Sequence, residues 1–416
     1  MTFTNRPVDV HRAIVAQLVA GIARTPETVE LRDVAVGPPR SLASDVPAAA
    51  ELPAFDNSQM DGFAIRSADV RSSTPQRPAH LRVMGHLAAG EHGGQVGAGE
   101  AWAVMTGAPI PGGADAVVPI EESGFTSFPA RDADAILTVT TPSPVGRFVR
   151  ARGSDVRAGD PVGSVGSPVT PALVGALAAT GVQRIAVQRP LRVLVIATGS
   201  ELRRSGDPDR PGTILDANTL MLGALLTPLG VRVVERGPVP DDPRELMRLL
   251  ESCCGEVDLV ITAGGVSRGA HEVVRDCLAP RGVEFGTVAM QPGGPQGVGI
   301  VQLAGGELPV VALPGNPVSA LVSAEVFLRP ALLAATGRWA YRPASTAPLA
   351  EAAQSPAGKL QVRRGRQAHD GRIHFEGGTA SHLLHAYARS TLLAFIPPET
   401  TTISVGDRVE FWRIDE

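Results

Sequence analysis

At 416 residues the chain exceeds what one ordinary hydrophobic core supports, so two to four domains are expected. A formal net charge of −4 supplies no sequence-wide positive field for nucleic acid, so any anionic ligand must be held by local groups. Only 4% of residues are aromatic while 46 Gly and 36 Pro are present, which favours small-residue cores and many turns.

In chain order, residues 8–23 place Val10, Ile14, Leu18 and Ile22 on one side of an amphipathic helix. Residues 28–40 read as short and extended, ended by Pro38-Pro39. A Gly/Pro-rich region over residues 46–150 holds short strands, such as Leu81-Arg82-Val83-Met84 and Ala116-Val117-Val118-Pro119, and predicts a small β domain. Residues 171–180 predict a helix with proline in its first turn and Gly181 as its stop.

From Leu191 the texture changes. Val193-Leu194-Val195-Ile196-Ala197 is a continuous apolar run, as expected for a strand buried on both faces. Helices over 218–229, 244–253 and 272–278 alternate with strands over 231–234 and 259–261. Such alternation predicts βαβ units and a mainly parallel sheet, closed by a helix over 317–336. Residues 339–416 carry alternating strands and a Gly406-Asp407 turn, a second small β domain. The expected fold class is α/β plus β, multidomain.

The cysteines are Cys253, Cys254 and Cys277, an odd set with no disulfide framework and no zinc-ligand spacing. The start of the chain lacks the regions of a signal peptide, and no segment approaches the roughly 18 unbroken apolar residues of a membrane helix. A cytoplasmic protein is expected. His382 and His385 fall three apart on an expected helix without a visible third ligand, so they read as structural.

Two glycine turns stand out. Thr262-Ala263-Gly264-Gly265-Val266-Ser267 and Leu313-Pro314-Gly315-Asn316-Pro317-Val318-Ser319-Ala320 each follow an apolar run and precede a stretch that can be helical. A strand feeding such a turn leaves backbone N–H groups free, which suits an anion. Two of them in one α/β segment point to a crevice at the strand C-terminal ends. Neither is a Walker loop or a G-x-G-x-x-G fingerprint. One such loop alone could simply turn the chain.

Further upstream lies Asp56-Asn57-Ser58-Gln59-Met60-Asp61-Gly62-Phe63-Ala64, which reads as an exposed loop. Together with Met105-Thr106-Gly107-Ala108-Pro109-Ile110-Pro111, Gly153-Ser154-Asp155-Val156-Arg157-Ala158-Gly159-Asp160, Ala197-Thr198-Gly199-Ser200-Glu201-Leu202 and Asp216-Ala217-Asn218, it resembles the molybdopterin molybdenumtransferase (MoeA) family. The resemblance runs from about residue 10 to the C-terminus, with the motifs in family order. It implies a discontinuous, elongated N-terminal domain (1–46 and 151–180), an inserted β domain (47–150), an α/β molybdopterin-binding domain (181–336) and a C-terminal β domain (337–416). It also implies a homodimer whose cleft combines the α/β domain of one subunit with the inserted β domain of the other.

The resemblance implies transfer of molybdenum from molybdate to the dithiolene sulfurs of adenylylated molybdopterin, anions that call for Mg²⁺ or another divalent cation. Carried over motif by motif, the catalytic residues are Asp61, Thr106, Asp155, Glu201, Asp241 and Glu272, with Asp61, Asp241 and Glu201 as metal ligands. Gly264, Gly265, Ser267, Arg268, Pro314, Gly315, Asn316, Pro317 and Ser319 would line the ligand cleft, and Arg363 (or Arg364) and Ser381 would reach it from the C-terminal domain. By pattern alone, Asp241 in Pro240-Asp241-Asp242-Pro243 could be only a helix N-cap with a proline start. Partners implied are adenylylated molybdopterin, molybdate, a second copy of the chain, a molybdopterin adenylyltransferase and recipient molybdoenzymes, with no nucleic acid and no membrane.

The chain departs from the family at two places, the first being Glu272, where the family usually has an aspartate after the Gly-Gly-Val-Ser turn. At the second, three customary lysines are replaced by Thr287, Gln291 and Gly294, which removes three donors of charge-assisted hydrogen bonds. Arg268 and Arg281 are the candidate replacements. Two other readings therefore stay open: a non-catalytic homologue that binds or delivers the cofactor, and a pterin adenylyltransferase.

Overall fold

The computed structural model describes residues 2–130, 134–267 and 272–415. Its centre is a seven-stranded sheet with the order Thr2–Arg6, Val283–Val288, Pro295–Leu303, Gly306–Leu313, Leu259–Ala263, Arg192–Ala197, Arg232–Glu235. Pairing is parallel at both ends and antiparallel only around Pro295–Leu303. The apolar runs are explained by burial on both faces. Val193 and Val195 pack into one core with the helices Val8–Ala20, Asn218–Leu226 and Pro317–Ser323, while Leu194 and Ile196 pack into another with Pro243–Cys253 and Val273–Leu278. Side chains alternate across a strand, so a strand covered on both sides must be apolar at every position.

The helix after the second glycine turn is continuous but irregular: Pro317–Ser323, a five-residue π segment Ala324–Leu328, then Arg329–Ala335. By length and mean hydropathy (1.6) this 19-residue stretch could cross a membrane, although its apolar run is broken by Ser319, Ser323, Glu325 and Arg329. Here it is a core helix, 78% of its apolar window being buried within the fold. Its one carboxylate, Glu325, is paired with Arg342 at 3.0 Å.

Three segments depart from the sequence reading. Residues 2–20, expected in the elongated domain, belong to the α/β body: Thr2 pairs with Phe285, and the helix Val8–Ala20 packs on Arg329–Ala335. Residues 31–36, expected as extended, form the short helix Leu31–Val36, which lays Leu31 into a small core with Leu42 and Leu177. His382 precedes the helix Leu384–Ala388 and so does not share it with His385.

The elongated part is stitched from distant segments. Pro26–Glu30 pairs antiparallel with Arg184–Gln188, and Val46–Pro47 with Pro161–Gly163. Between them a five-stranded sheet, in the order Ala116–Pro119, Gly62–Ile65, Glu100–Val104, Ala79–Leu87, Ile136–Val139, closes over Phe63, Ile65, Leu81 and Leu137. The C-terminal sheet begins outside its own segment, because Met290–Gln291 pairs parallel with Leu360–Gln367. That link ties the C-terminal domain to the mouth of the α/β sheet.

His11 makes a testable statement about the first helix. Its ring is fully buried against Phe327 (centroids 4.8 Å apart) and Phe3 (5.7 Å), and neither ring nitrogen has a hydrogen-bond partner among the described residues. Burial, helped by nearby Arg6, holds its pKa down from 6.5 to about 3. The unfolded chain therefore binds a proton that the folded one refuses. Stability should fall as pH drops from about 6.5 towards 3, by up to roughly 1.4 kcal/mol per pH unit. His11→Leu should flatten that part of the slope in urea-unfolding curves. An unchanged slope would show that His11 is not responsible.

Candidate active site

Three parallel strands end level with one another: Ala197 lies opposite Ala263, and Ala263 opposite Leu313. Each strand then releases a loop, and the loops together wall a cleft of about 840 Å³. The position is the usual one for a ligand in an open α/β sheet, outside the carboxyl ends of the strands.

The two glycine turns touch. Gly264 N donates to Leu313 O at 3.0 Å, and a Cβ on Gly315 would lie 3.3 Å from the Gly264 Cα. Gly264 has φ +112° and a Cβ there would meet the Thr198 carbonyl oxygen at 2.5 Å, so only glycine fits. The second turn is held by Asn218, whose Nδ2 donates to Gly315 O at 2.8 Å. Gly264, Gly265, Ser267, Pro314, Gly315, Asn316, Pro317 and Ser319 all line the cleft. Arg268 lies outside the described residues.

Three carboxylates share the same space: Glu201, Asp241 and Glu272. Asp241 is clamped to the loop after the first strand, its Oδ2 accepting from Ser200 N and its own N–H donating to Ser200 Oγ, both at 3.0 Å. The N-cap alternative for Asp241 fails, because Asp242 takes that role by accepting from Arg244 N at 2.7 Å. Glu272 reaches back to the glycine turn, its Oε2 accepting from Ser267 N at 2.9 Å. No group of three or more His, Cys, Asp or Glu side chains among the described residues could hold a metal alone. Glu201 and Asp241 suit Mg²⁺, which commonly takes one or two carboxylates and completes its shell with phosphate oxygens and water.

Asp61, Thr106 and Asp155 are not brought to this cleft within one chain. Asp61 and Thr106 instead meet each other on the inserted β domain, where Asp61 Oδ1 accepts from Thr106 N at 2.7 Å and from Thr106 Oγ1 at 2.8 Å. Asp155 sits in the turn that returns from that domain, its N–H donating to Leu52 O at 3.0 Å.

Family models match three successive parts of the chain: the MoeA N-terminal region (domain I and II) over residues 6–181, a probable molybdopterin binding domain over 194–334, and the MoeA C-terminal region (domain IV) over 346–414. Molybdopterin molybdenumtransferase 2 of Mycobacterium tuberculosis (strain H37Rv) is 42% identical over 417 residues, spanning 98% of this chain and 99% of the relative. The chain belongs to the MoeA family. The molybdopterin molybdenumtransferase of Synechococcus elongatus is 35% identical over 406 residues, covering 96% of this chain and 98% of its own. Among solved structures, a molybdopterin biosynthesis MoeA protein from Pyrococcus horikoshii OT3 is similar with a TM-score of 0.78 at 27% identity, over 98% of this chain and 99% of that one.

In this MoeA-family chain the C-terminal contribution differs from the sequence reading. Ser381 lines the cleft, but Arg363 does not: its guanidinium lies 4.1 Å from the Phe375 ring centroid. The neighbouring Arg364, on the opposite face of the strand, is 2% exposed and donates through Nη2 to Gly378 O at 2.6 Å and Ala380 O at 3.3 Å. Ala380 is a lining residue, so Arg364 braces the cleft wall. Arg281 is also removed from the cleft, since its Nη1 donates to Cys277 O at 2.7 Å. Of the replaced lysine positions, Gln291 and Gly294 line the cleft, whereas Thr287 accepts from Asn5 N at 2.9 Å. Sequence reasoning missed Lys359, Thr379 and Thr198, which also line the cleft. Only Lys359 carried a signal in composition that could have exposed it.

Proposed function

We propose that this protein inserts molybdenum from molybdate into adenylylated molybdopterin and releases AMP. The observation that carries this reading is the single cleft in which two touching glycine turns face three carboxylates at the ends of parallel strands. The names and full-length similarity of its curated relatives support the same substrate class. In this reading the backbone of the two turns and Ser319 orient the phosphate and molybdate oxygens. Glu201 and Asp241 would hold Mg²⁺, which when bound neutralises phosphate charge and polarises the phosphoryl group. Glu272 fixes the shape of the glycine turn through Ser267 rather than touching the reacting atoms. Water adds to one phosphorus of the pyrophosphate, the bridging P–O bond breaks and AMP leaves; the two dithiolene thiols bond to molybdenum as one molybdate oxygen departs with their two protons as water, with no change of oxidation state.

Asp61 and Thr106 complete the site from a second copy of the chain, which makes the protein a homodimer with composite sites. A cytoplasmic location, an adenylyltransferase that supplies the substrate, and molybdoenzymes that receive the product belong to the same reading.

The test is AMP release from adenylylated molybdopterin with molybdate and Mg²⁺, using the full-length chain. Expected are turnover by the unmodified protein, none by Asp61→Asn or Asp241→Asn alone, and partial recovery when these two variants are mixed and re-assembled. Absence of recovery, or a monomer by light scattering, overturns the composite site. Pterin binding without AMP release makes the chain a delivery homologue, and adenylylation of molybdopterin from ATP makes it an adenylyltransferase.

A further inference from the structure

Of the 38 basic residues in the sequence, Lys359 is the only lysine; every other one is arginine. This solitary lysine lines the cleft. It does so from the C-terminal domain, at the residue before the strand Leu360–Gln367, and its position is fixed by main-chain bonds. Leu360 N donates to Ala289 O at 2.9 Å, Met290 pairs in register with Leu360, and Gln291 pairs with Gln361 through backbone and side chain, the latter at 2.9 Å. Lys359 is therefore held beside the wall formed by residues 290–295, which contributes no charged side chain of its own.

The charge balance of the cleft gives that placement a consequence. Its described lining residues include three carboxylates and one basic side chain, Lys359. Mg²⁺ held by Glu201 and Asp241 would offset two of these carboxylates from their own side, but the wall formed by residues 290–295 presents no charge to an anion, and Arg364 is occupied by carbonyl oxygens behind it. Among the described residues Lys359 has no ion-pair or hydrogen-bond partner, and it is exposed at the cleft rim. A lysine is a compact point charge on a flexible four-carbon stem with three donors, suited to follow an oxyanion whose position changes during a reaction.

Resting on the reading of the cleft given above, we propose that Lys359 is the cation that holds an oxyanion of the substrate, a phosphate or molybdate oxygen, against the wall formed by residues 290–295. It acts by binding and positioning.

The lone lysine makes the test unusually direct. Reductive methylation of the full-length protein with isotopically labelled formaldehyde leaves the charge in place and gives one side-chain amine resonance, distinct from the terminal amine. Titration with molybdate and, separately, with pyrophosphate should move that resonance; movement with molybdate alone assigns the molybdate oxygens, and with pyrophosphate alone the phosphate. In parallel, Lys359→Met should weaken calorimetric binding of adenylylated molybdopterin or molybdate roughly five- to fifty-fold, while Lys359→Arg stays within about threefold. Unchanged affinity in Lys359→Met with an unmoved resonance overturns the role of Lys359 alone. If the unmodified protein binds neither molybdate, pyrophosphate nor adenylylated molybdopterin, the reading of the cleft falls, and this inference falls with it.

Discussion

Asp241→Asn should lower AMP release by roughly 100-fold or more while leaving the melting temperature within a few degrees. The two halves of that expectation have separate causes. The fold uses Asp241 through the Ser200 clamp, an exposed pair of hydrogen bonds: an asparagine side-chain oxygen can still accept from Ser200 N, and the backbone N–H still donates to Ser200 Oγ. The cap of the following helix belongs to Asp242 and is untouched. In the proposed reading, what asparagine cannot do is supply a full negative charge beside Glu201 to hold a divalent cation against the pyrophosphate. Raising Mg²⁺ should therefore recover part of the rate in Asp241→Asn, as expected for weakened ion binding. A variant that keeps its rate at low Mg²⁺ would remove Asp241 from the chemistry, and one that unfolds would make it structural.

Asp258→Ala should cost about 2–4 kcal/mol of stability without altering the cleft. Asp258 is 8% exposed and stands where the chain enters the central sheet. It accepts a forked pair of bonds from Arg189 at 2.6 and 2.8 Å, one from Arg192 N at 2.7 Å, and one from Arg192 Nη2 at 3.1 Å. Burial alone would push this carboxyl up, but the hydrogen bonds from Arg189 and Arg192 overcome it and hold the pKa down to about 2, below the ordinary 3.8. A carboxylate with a lowered folded-state pKa stabilises above its unfolded value and loses that contribution as pH falls towards the folded one. The contribution is therefore complete above about pH 4 and fades towards pH 2. Truncation leaves Arg189, Arg192 and the Arg192 N–H without the carboxylate that accepts their hydrogen bonds. Urea unfolding at neutral pH measures the loss, and a change under about 0.5 kcal/mol would show that solvent compensates the guanidinium groups fully.

Much of the α/β domain was legible because its signals are local. The run Val193–Ala197 is apolar at every position, and that pattern alone requires burial on both faces. Gly264 has φ +112°, a constraint carried within its own turn, and the Thr198 carbonyl that also excludes a side chain comes from the loop of the neighbouring strand. The pairing of the two turns was less legible. It depends on Ala263 and Leu313 ending level in adjacent strands, a register that no local periodicity states.

The sequence by itself determined which segments are strands and helices between residues 192 and 335, where the glycine turns fall, and which acids are available near them. Short-range sterics and side-chain periodicity suffice for that. Tertiary structure alone decided which of those side chains share a space. Strand alternation turned Arg363 onto Phe375 and Arg364 behind the cleft wall. A parallel pairing between residues 290–291 and 360–361 carried Lys359 into the cleft from another domain, and one between residues 2 and 285 drew the N-terminus into the central sheet. Such pairings are fixed by cores that close only when segments distant in sequence are buried together, so their information is spread over both partners and is not written in either one.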